Sequence, residues 1–408
     1  MIKKLIKFWY LVSFFIIVYL IGWNSNKYQF FPYYYIQESI YNTKLIINNL
    51  NISKHNFDSE YYCNENFDVK KNFEVNYLLI FEKCPKVYLL DNNAKILNVW
   101  DLENILPSKY KKNGIYPINA LYKKNNDLIF SFFSPKVNKN YLGLISSDQN
   151  NYKIKWIKDH KVHHWGSYDK NYIYMPTEKR AKSYDFKFFN TNCRYIHHYQ
   201  TISIFDLKSG DIIKEIDILK KINEFNKKLL GEYERISDPN CDGPLHLNYS
   251  RIMDEDNLSK FNLPFKNNIL ISDRSLDIIY IYNIDEDKIL DTISGYFEKQ
   301  HYPIILKNGN IAVFDNNGSD IENGRSRISI INPKVRPAVK FIEGNSEHFF
   351  ESNNRGHVQA VDNTFFISSS VQGKIFYSIC NDEVFDCEID ILFDFKQTIE
   401  DLQIVKSF

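Results

Sequence analysis

"NILISDRSLDIIYIYNIDEDKILDTI", residues 268–293, holds three apolar runs separated by two polar clusters. Ile269–Ile271, Ile278–Tyr282 and Ile289–Ile293 are short and rich in Ile and Tyr, and Asp, Asn and Ser bound them. Such runs read as strands joined by tight turns. The same grammar recurs along the chain. Upstream stand "YLLIFEKCPKVYLLDNNAKILNVWDL" from Tyr77, "DLIFSFF…YLGLISSDQNNYKIKWI" from Asp127 and "NYIYMP…QTISIFDLKSGDIIKEIDI" from Asn171. Downstream stand "NIAVFDNN…SRISIINPKVRPAVKFI" from Asn310 and "TFFISSSVQGKIFYSICNDEVFDCEI" from Thr364. These are six units of strand, strand, tight turn, strand, with heads roughly 45 to 55 residues apart once an insert after Pro176 is allowed for. Propeller blades have this period, and the turns after each pair are polar hairpins such as "KSGD" and "NNAK". The expected fold is all-β, a six-bladed β-propeller over 76–395, followed by a tail over 396–408.

Two segments depart from the strand grammar. "IDILKKINEFNKKLLGEYERI" places Ile218, Ile222, Phe225, Leu229 and Tyr233 at steps of three and four. That spacing predicts an amphipathic helix over about 216–235, an insert between the third and fourth blades. At the N-terminus, Lys3, Lys4 and Lys7 precede an uncharged run from Phe8 to Trp23. As a helix this run spans roughly 24 Å. Leu5, Ile6 and a snorkelling Lys7 extend it toward the roughly 30 Å of a bilayer core. Trp9 and Trp23 suit the two interfaces, and bulky residues occupy the place of a cleavage site. Residues 1–24 are therefore expected to be an uncleaved signal anchor, with a cleaved signal peptide as the alternative. Residues 25–75 are expected to form a juxtamembrane helix and linker. The lysines hold the N-terminus in the cytoplasm, which puts the main domain on the periplasmic, extracytoplasmic side.

The 51 basic and 50 acidic residues balance to a net charge of +1, which leaves no basic footprint for nucleic acid. A homodimer is left open. The six cysteines fit an oxidising compartment, and none has a zinc-like spacing. Cys380 and Cys387 flank the hairpin-like "NDEVFD" and are expected to pair; Cys63–Cys84 and Cys193–Cys241 are the further candidates.

The unit heads carry a second pattern. Asn119, His164, His246, His301 and His357 each precede the strand that follows the head. The innermost strand of a propeller blade lines the central channel, so side chains at one phase of several blades converge on one axial pocket. Four buried imidazoles at one axis are costly unless something binds them. With Asn248 and Arg274 nearby and no acid at a unit head, an anion site is expected rather than a metal site.

"DGPLHLNYSR", "NILISDRSLDIIYIYN", "KQHYPIILKNGNIAVFDNNG", "GRSRISIINP", "VYLLDNNAKILNVWDL" and "VHHWGSYDKNYIYMP" together resemble the bacterial arylsulfotransferase family, over roughly Tyr77 to Tyr377. The resemblance implies a six-bladed propeller. It implies nucleotide-independent transfer of a sulfuryl group from an aryl sulfate to a phenolic acceptor, through a sulfated histidine and with no cofactor. It carries the nucleophile to His301, the "HxN" pair to His246 and Asn248, the strand-ending arginine to Arg274, and the earlier channel histidine to His164, with His163 as the alternative. With it, His246 or His164 is expected to serve as general acid and Asn248 and His163 to line the substrate site, which His357 and Asn119 are expected to join by their phase at the unit heads. Where many relatives have an acid after the "HH" pair, this chain has Trp165, and Tyr302 and Pro303 follow His301. A non-catalytic anion- or partner-binding propeller is the competing reading, and a metal-dependent hydrolase is a third.

Overall fold

In a computed structural model the described residues are 13, 63, 67–111, 114–123, 126–134, 139–148, 151–180, 198–226, 245–254, 261, 266–295, 297–320, 325–334, 338–381 and 386–406. They form six four-stranded antiparallel sheets. Blade 1 contains β1 (Val75–Phe81), β2 (Lys86–Leu90) and β3 (Ile96–Asp101). Blade 2 contains β4 (Tyr116–Lys123), β5 (Asp127–Ser134), β6 (Lys139–Asp148) and β7 (Asn151–Asp159). Blade 3 contains β8 (Ser167–Tyr168), β9 (Tyr172–Arg180), β10 (His198–Asp206) and β11 (Ile212–Ile216). Blade 4 contains β12 (Leu247–Ile252), β13 (Asn268–Asp273), β14 (Ile278–Asn283) and β15 (Lys288–Ser294). Blade 5 contains β16 (His301–Ile305), β17 (Ile311–Asp320), β18 (Arg325–Ile331) and β19 (Ala338–Glu343). Blade 6 contains β20 (His357–Val361), β21 (Thr364–Ser369), β22 (Lys374–Cys380) and β23 (Cys387–Asp394). The last strand, β24 (Ile399–Lys406), returns to blade 1 and pairs antiparallel with β1, Tyr77 opposite Ile404. Strands β4, β8, β12, β16, β20 and β24 are the inner strands, and neighbours among them touch around the channel.

The six-bladed propeller read from the repeats is therefore the fold. The tail expected over 396–408 is corrected: Ile399–Lys406 is the inner strand of blade 1 and closes the ring. Its partner lies at the other end of the chain, so no local pattern announces it.

The apolar cores lie between blades. Six buried clusters fill the six blade interfaces, from Leu78, Trp100 and Phe130 between blades 1 and 2 to Tyr77, Phe366 and Phe393 between blades 6 and 1. A middle strand thus has a neighbouring blade on each face. Every residue of β13 and β14 is buried, which is why 268–283 reads as apolar runs without alternation. Burying one such Ile or Tyr side chain is worth about 1.5–3 kcal/mol. The outer strand β7 has water on one side and alternates for most of its length.

The helix expected over 216–235 is present as Ile218–Phe225, where Asp217 caps its first turn by accepting from the Lys220 N–H. Ile218, Leu219 and Ile222 pack with Tyr174 and Ile278 between blades 3 and 4. Leu229 and Tyr233 lie outside the described residues. So do residues 1–24, the expected anchor, apart from Ser13. No helix among the described residues is long and apolar enough to cross a membrane.

Two cystines are present among the described residues. Cys380 lies directly opposite Cys387 across β22 and β23 and is bonded to it, and Cys63 is bonded to Cys84. Cys193 and Cys241 lie outside the described residues. Cystines point to an extracytoplasmic location. The bonds close loops with sequence separations of 21 and 7. Replacing the Cys63–Cys84 pair by serine is expected to cost about 3 kcal/mol, and the Cys380–Cys387 pair about 2 kcal/mol. Denaturant unfolding of the paired variants checks both, and alkylation of these thiols without reductant would contradict the bonds.

Candidate active site

Inner strands begin at one end of the channel and deliver their first residues there. His301 and His357 are the first residues of β16 and β20, and His246 immediately precedes β12. Gly356 sits before His357 at φ +138°, where a Cβ would lie 2.5 Å from the Phe314 ring. Four inner strands carry a one-residue bulge near their heads, at Pro117/Asn119, Leu247/Tyr249, His301/Ile304 and Ile399/Asp401. In β16 the bulge holds Tyr302 at φ +52°, a strained setting for a bulky residue. Bulges re-aim neighbouring side chains, and here they set the direction of His301 and Asn248.

His164 and His246 meet Nε2 to Nε2 at 2.8 Å, so one donates and the other accepts. His163 lies against both rings, with centroids 4.1 Å and 5.4 Å away, and its Nε2 is 3.1 Å from Glu178 Oε1. The structure thus brings both members of the "HH" pair to His246. Burial drives the His164 and His246 imidazoles well below their ordinary value, and the neighbouring His163 charge adds to the effect. Fields from Arg274 and His301 act on both rings.

His301 is fully enclosed, and its Nδ1 is 2.6 Å from Asn316 Oδ1. The Asn316 amide donates to the carbonyls of Ser352 and Arg355, the latter at 2.8 Å. Carbonyls only accept, so the NH2 must face them and Oδ1 must face the ring. Nδ1 therefore carries the proton, and Nε2 keeps its lone pair. Nε2 has no hydrogen-bond partner among the described residues. Burial, and then the Arg274 charge, hold this imidazole down at about 3, and the Asn316 bond opposes them. Asn316 was not singled out in the sequence, although it stands in the quoted "NGNIAVFDNNG".

Arg274 follows β13, and its N–H donates to the His246 carbonyl at 2.9 Å. Its side chain is partly buried and makes no ion pair among the described residues. Asn248 is fully buried. One of its Nδ2 hydrogens goes to the Gln300 carbonyl at 2.6 Å, so it braces the residue before His301. Asn119 is buried against Met175, with Nδ2 3.6 Å from Sδ, and makes no described contact with the imidazoles.

His357 stands apart from the His164–His246 pair, with its ring 4.8 Å from Trp165 and 4.8 Å from Tyr302. Its Nε2 is 3.4 Å from Asp401 Oδ1 on β24. The expectation that no acid stands at the heads of the inner strands is corrected by Asp401, which was hidden in the supposed tail. Burial pushes Asp401 up to about 8 and His357 down to about 3. At neutral pH they meet as a protonated carboxyl and a neutral imidazole. Trp165 fills the space among His164, His301 and His357, with centroids 5.3, 5.9 and 4.8 Å away.

The sequence alone suggests histidines titrating near 6.5, with anions bound more tightly toward pH 5.5 and transfer slowing toward acid. Burial overturns the premise, because His301 and His357 protonate near 3. The acid limb of any reaction that uses the His301 lone pair moves down accordingly. The ligand atoms of His163, His164 and His246 all lie within 4.8 Å of one another, so these three side chains could also hold a metal ion.

No curated protein sequence matches the chain. Among solved structures, a Bacteroides caccae protein of unknown function is 12 % identical, covering 82 % of this chain and 99 % of that one at a TM-score of 0.46. A Pseudomonas aeruginosa periplasmic gluconolactonase is 8 % identical, covering 81 % and 99 % at 0.45. A streptogramin B lyase is 11 % identical, covering 84 % and 96 % at 0.44. The arylsulfotransferase (ASST) profile matches residues 124–387, from the second blade through the sixth. The match spans well over half of the sequence and takes in four of the inner-strand heads, and on it the chain belongs to the arylsulfotransferase family.

Proposed function

We propose that the protein is a membrane-anchored, exported sulfotransferase that moves a sulfuryl group from an aryl sulfate to a phenol through sulfated His301. One observation carries the reading most: Asn316 fixes the His301 tautomer so that Nε2 presents an unspent lone pair beside Arg274. Nε2 attacks sulfur, the N–S bond forms, and the S–O bond to the aryl group breaks. The electron pair leaves on the aryl oxygen, which departs as phenolate and accepts a hydrogen bond from an N–H of the His164–His246 pair. Burial keeps both rings uncharged, and a neutral imidazole N–H is too weak an acid to protonate a phenolate, so the pair serves as hydrogen-bond donor in place of the expected general acid. Arg274 holds the sulfuryl oxygens as charge builds on them. The acceptor phenol then gives its proton to a ring lone pair of the His164–His246 pair, which passes it to solvent, and attacks sulfur; the new S–O bond forms, the N–S bond breaks and His301 is released. Asn248 acts through Gln300 by fixing the backbone on which His301 stands. The apolar run Phe8–Trp23 serves as the anchor. Incubation with a chromogenic nitrophenyl sulfate and a phenol, followed by mass spectrometry for sulfohistidine at His301, tests the reading. Absence of both turnover and adduct would leave a propeller that only binds.

The pH profile separates this site from one built on ordinary histidines. His301 takes its proton only near 3, so the reactive neutral form persists through the range where an exposed imidazole would be lost. kcat/KM is therefore expected to stay level from about pH 8 down to about pH 5, without an acid limb near 6.5. An apparent pKa near 6.5 on kcat/KM would contradict the buried nucleophile.

A metal-dependent reaction is the second reading, supported by the converging ligand atoms of His163, His164 and His246. Dialysis against a chelator separates the two: sulfuryl transfer through His301 survives it, and metal-assisted hydrolysis does not.

A further inference from the structure

The channel has a second end. Strands β12, β16, β20 and β24 start among the histidines and run away from them. Between His246 and Arg251 lie about 17 Å of strand. Around Arg251 opens a cavity of about 870 Å³, within the range of small-ligand sites. None of the site histidines lines it. Tyr249 and Tyr302, whose ring centroids lie 4.4 Å apart at a tilt of 35°, line this cavity, and Tyr302 also touches His357. Together with Trp165, which bridges to Tyr249, they separate the two chambers.

The polar groups deep in this cavity are mostly spent inside the protein. Gln403 Oε1 accepts the Tyr122 N–H at 2.8 Å. Gln359 donates to Tyr302 and to the Leu402 carbonyl, and accepts the Ile404 N–H. At the rim, Asp169 and Asp254 balance Lys170 and Lys266. Arg251 is left over. Its side chain bonds to the Tyr249 phenol and feels the Asp254 charge at the rim, but makes no ion pair among the described residues. Two other partly enclosed arginines are matched, Arg327 with Asp315 at 3.1 Å and Arg355 with Glu400 at 3.3 Å, whereas Arg274, in the histidine chamber, is not. An enclosed guanidinium without a carboxylate is costly, and its planar fork fits an oxyanion.

We propose that this far mouth is a second binding site, for a small organic anion whose carboxylate or similar oxyanion pairs with Arg251. The body of the ligand lies on the apolar and aromatic wall of Leu121, Tyr168 and Ile252. The site does not depend on the chemistry proposed for His301, and the test keeps the two apart. The purified protein is titrated calorimetrically with benzoate, with phenylphosphonate, and with inorganic sulfate as head group alone. Saturable binding of an aromatic anion, tighter than that of sulfate, is expected. Arg251→Gln should weaken it by about tenfold or more, and Arg251→Lys should fall between. His301→Gln should leave it unchanged. Melting temperatures show whether each variant is folded, and the lysine variant keeps a charge at the position should glutamine unfold the blade. No binding of either aromatic anion, equal affinity in folded Arg251 variants, or loss of binding in His301→Gln would each overturn the proposal. Sulfate binding as tightly as benzoate would overturn the assignment of an organic body.

Discussion

His301→Gln is expected to lower the turnover of aryl sulfate by about 10⁴-fold or more, and no sulfohistidine should form. Glutamine is a better replacement than alanine for a structural reason. From sequence, a channel histidine carries little packing, and alanine there should leave the melting temperature unchanged. The structure corrects this: His301 is 0 % exposed and its Nδ1–H satisfies Asn316. Alanine would leave the Asn316 oxygen buried without that donor, at about 1–3 kcal/mol, and would open a void as well. A glutamine amide can still donate to Asn316 and offers no nucleophilic nitrogen. Turnover within about tenfold of the parent in His301→Gln would remove the residue from the nucleophile's role.

Arg274→Lys is expected to cost about 10²–10³-fold in kcat, with a smaller change in KM. The side chain is partly buried, unmatched by a carboxylate among the described residues, and its charge acts on His164, His246 and His301. A lysine keeps one positive charge but presents it as a point, and cannot grip two sulfuryl oxygens side by side. The loss should therefore fall on the step in which charge spreads over those oxygens. Stopped-flow release of nitrophenolate, read beside steady-state KM, separates the two. Unchanged kcat would place Arg274 outside the reacting group's reach.

The repeat was legible because each middle strand is covered on both faces, so its apolar run is continuous and easily counted. The shared phase of His246, His301 and His357 was legible for the same reason, since each heads the inner strand that leads into such a run. What escaped notice depends on contacts distant in sequence. Asp401 reaches His357 only because β24 folds back to β1, and nothing in "IEDLQIVK" says which sheet it joins. Asn316 gains its meaning from the carbonyls of Ser352 and Arg355, at separations of 36 and 39 residues. Glu178 reaches His163 because the chain doubles back: the His163 N–H bonds to the Pro176 carbonyl. Arg251 was quoted within a motif, yet its isolation becomes visible only when its surroundings are assembled.

The ring closed by β24 makes Ile399–Lys406 the partner of Val75–Phe81, the first strand of the propeller. While the ribosome works through residues 102–398, one edge of Val75–Phe81 has no neighbour to bond it. An open edge is a template for pairing with other chains, so a nascent or truncated molecule carries a hazard that the finished one has buried. The delay reaches the channel too. Asp401 rides on the closing strand, and its Oδ2 accepts the Ala120 N–H of β4 while its Oδ1 faces His357. A transcript cut short before the codon for Ile399 would thus yield every histidine of the site and still leave the channel one wall short.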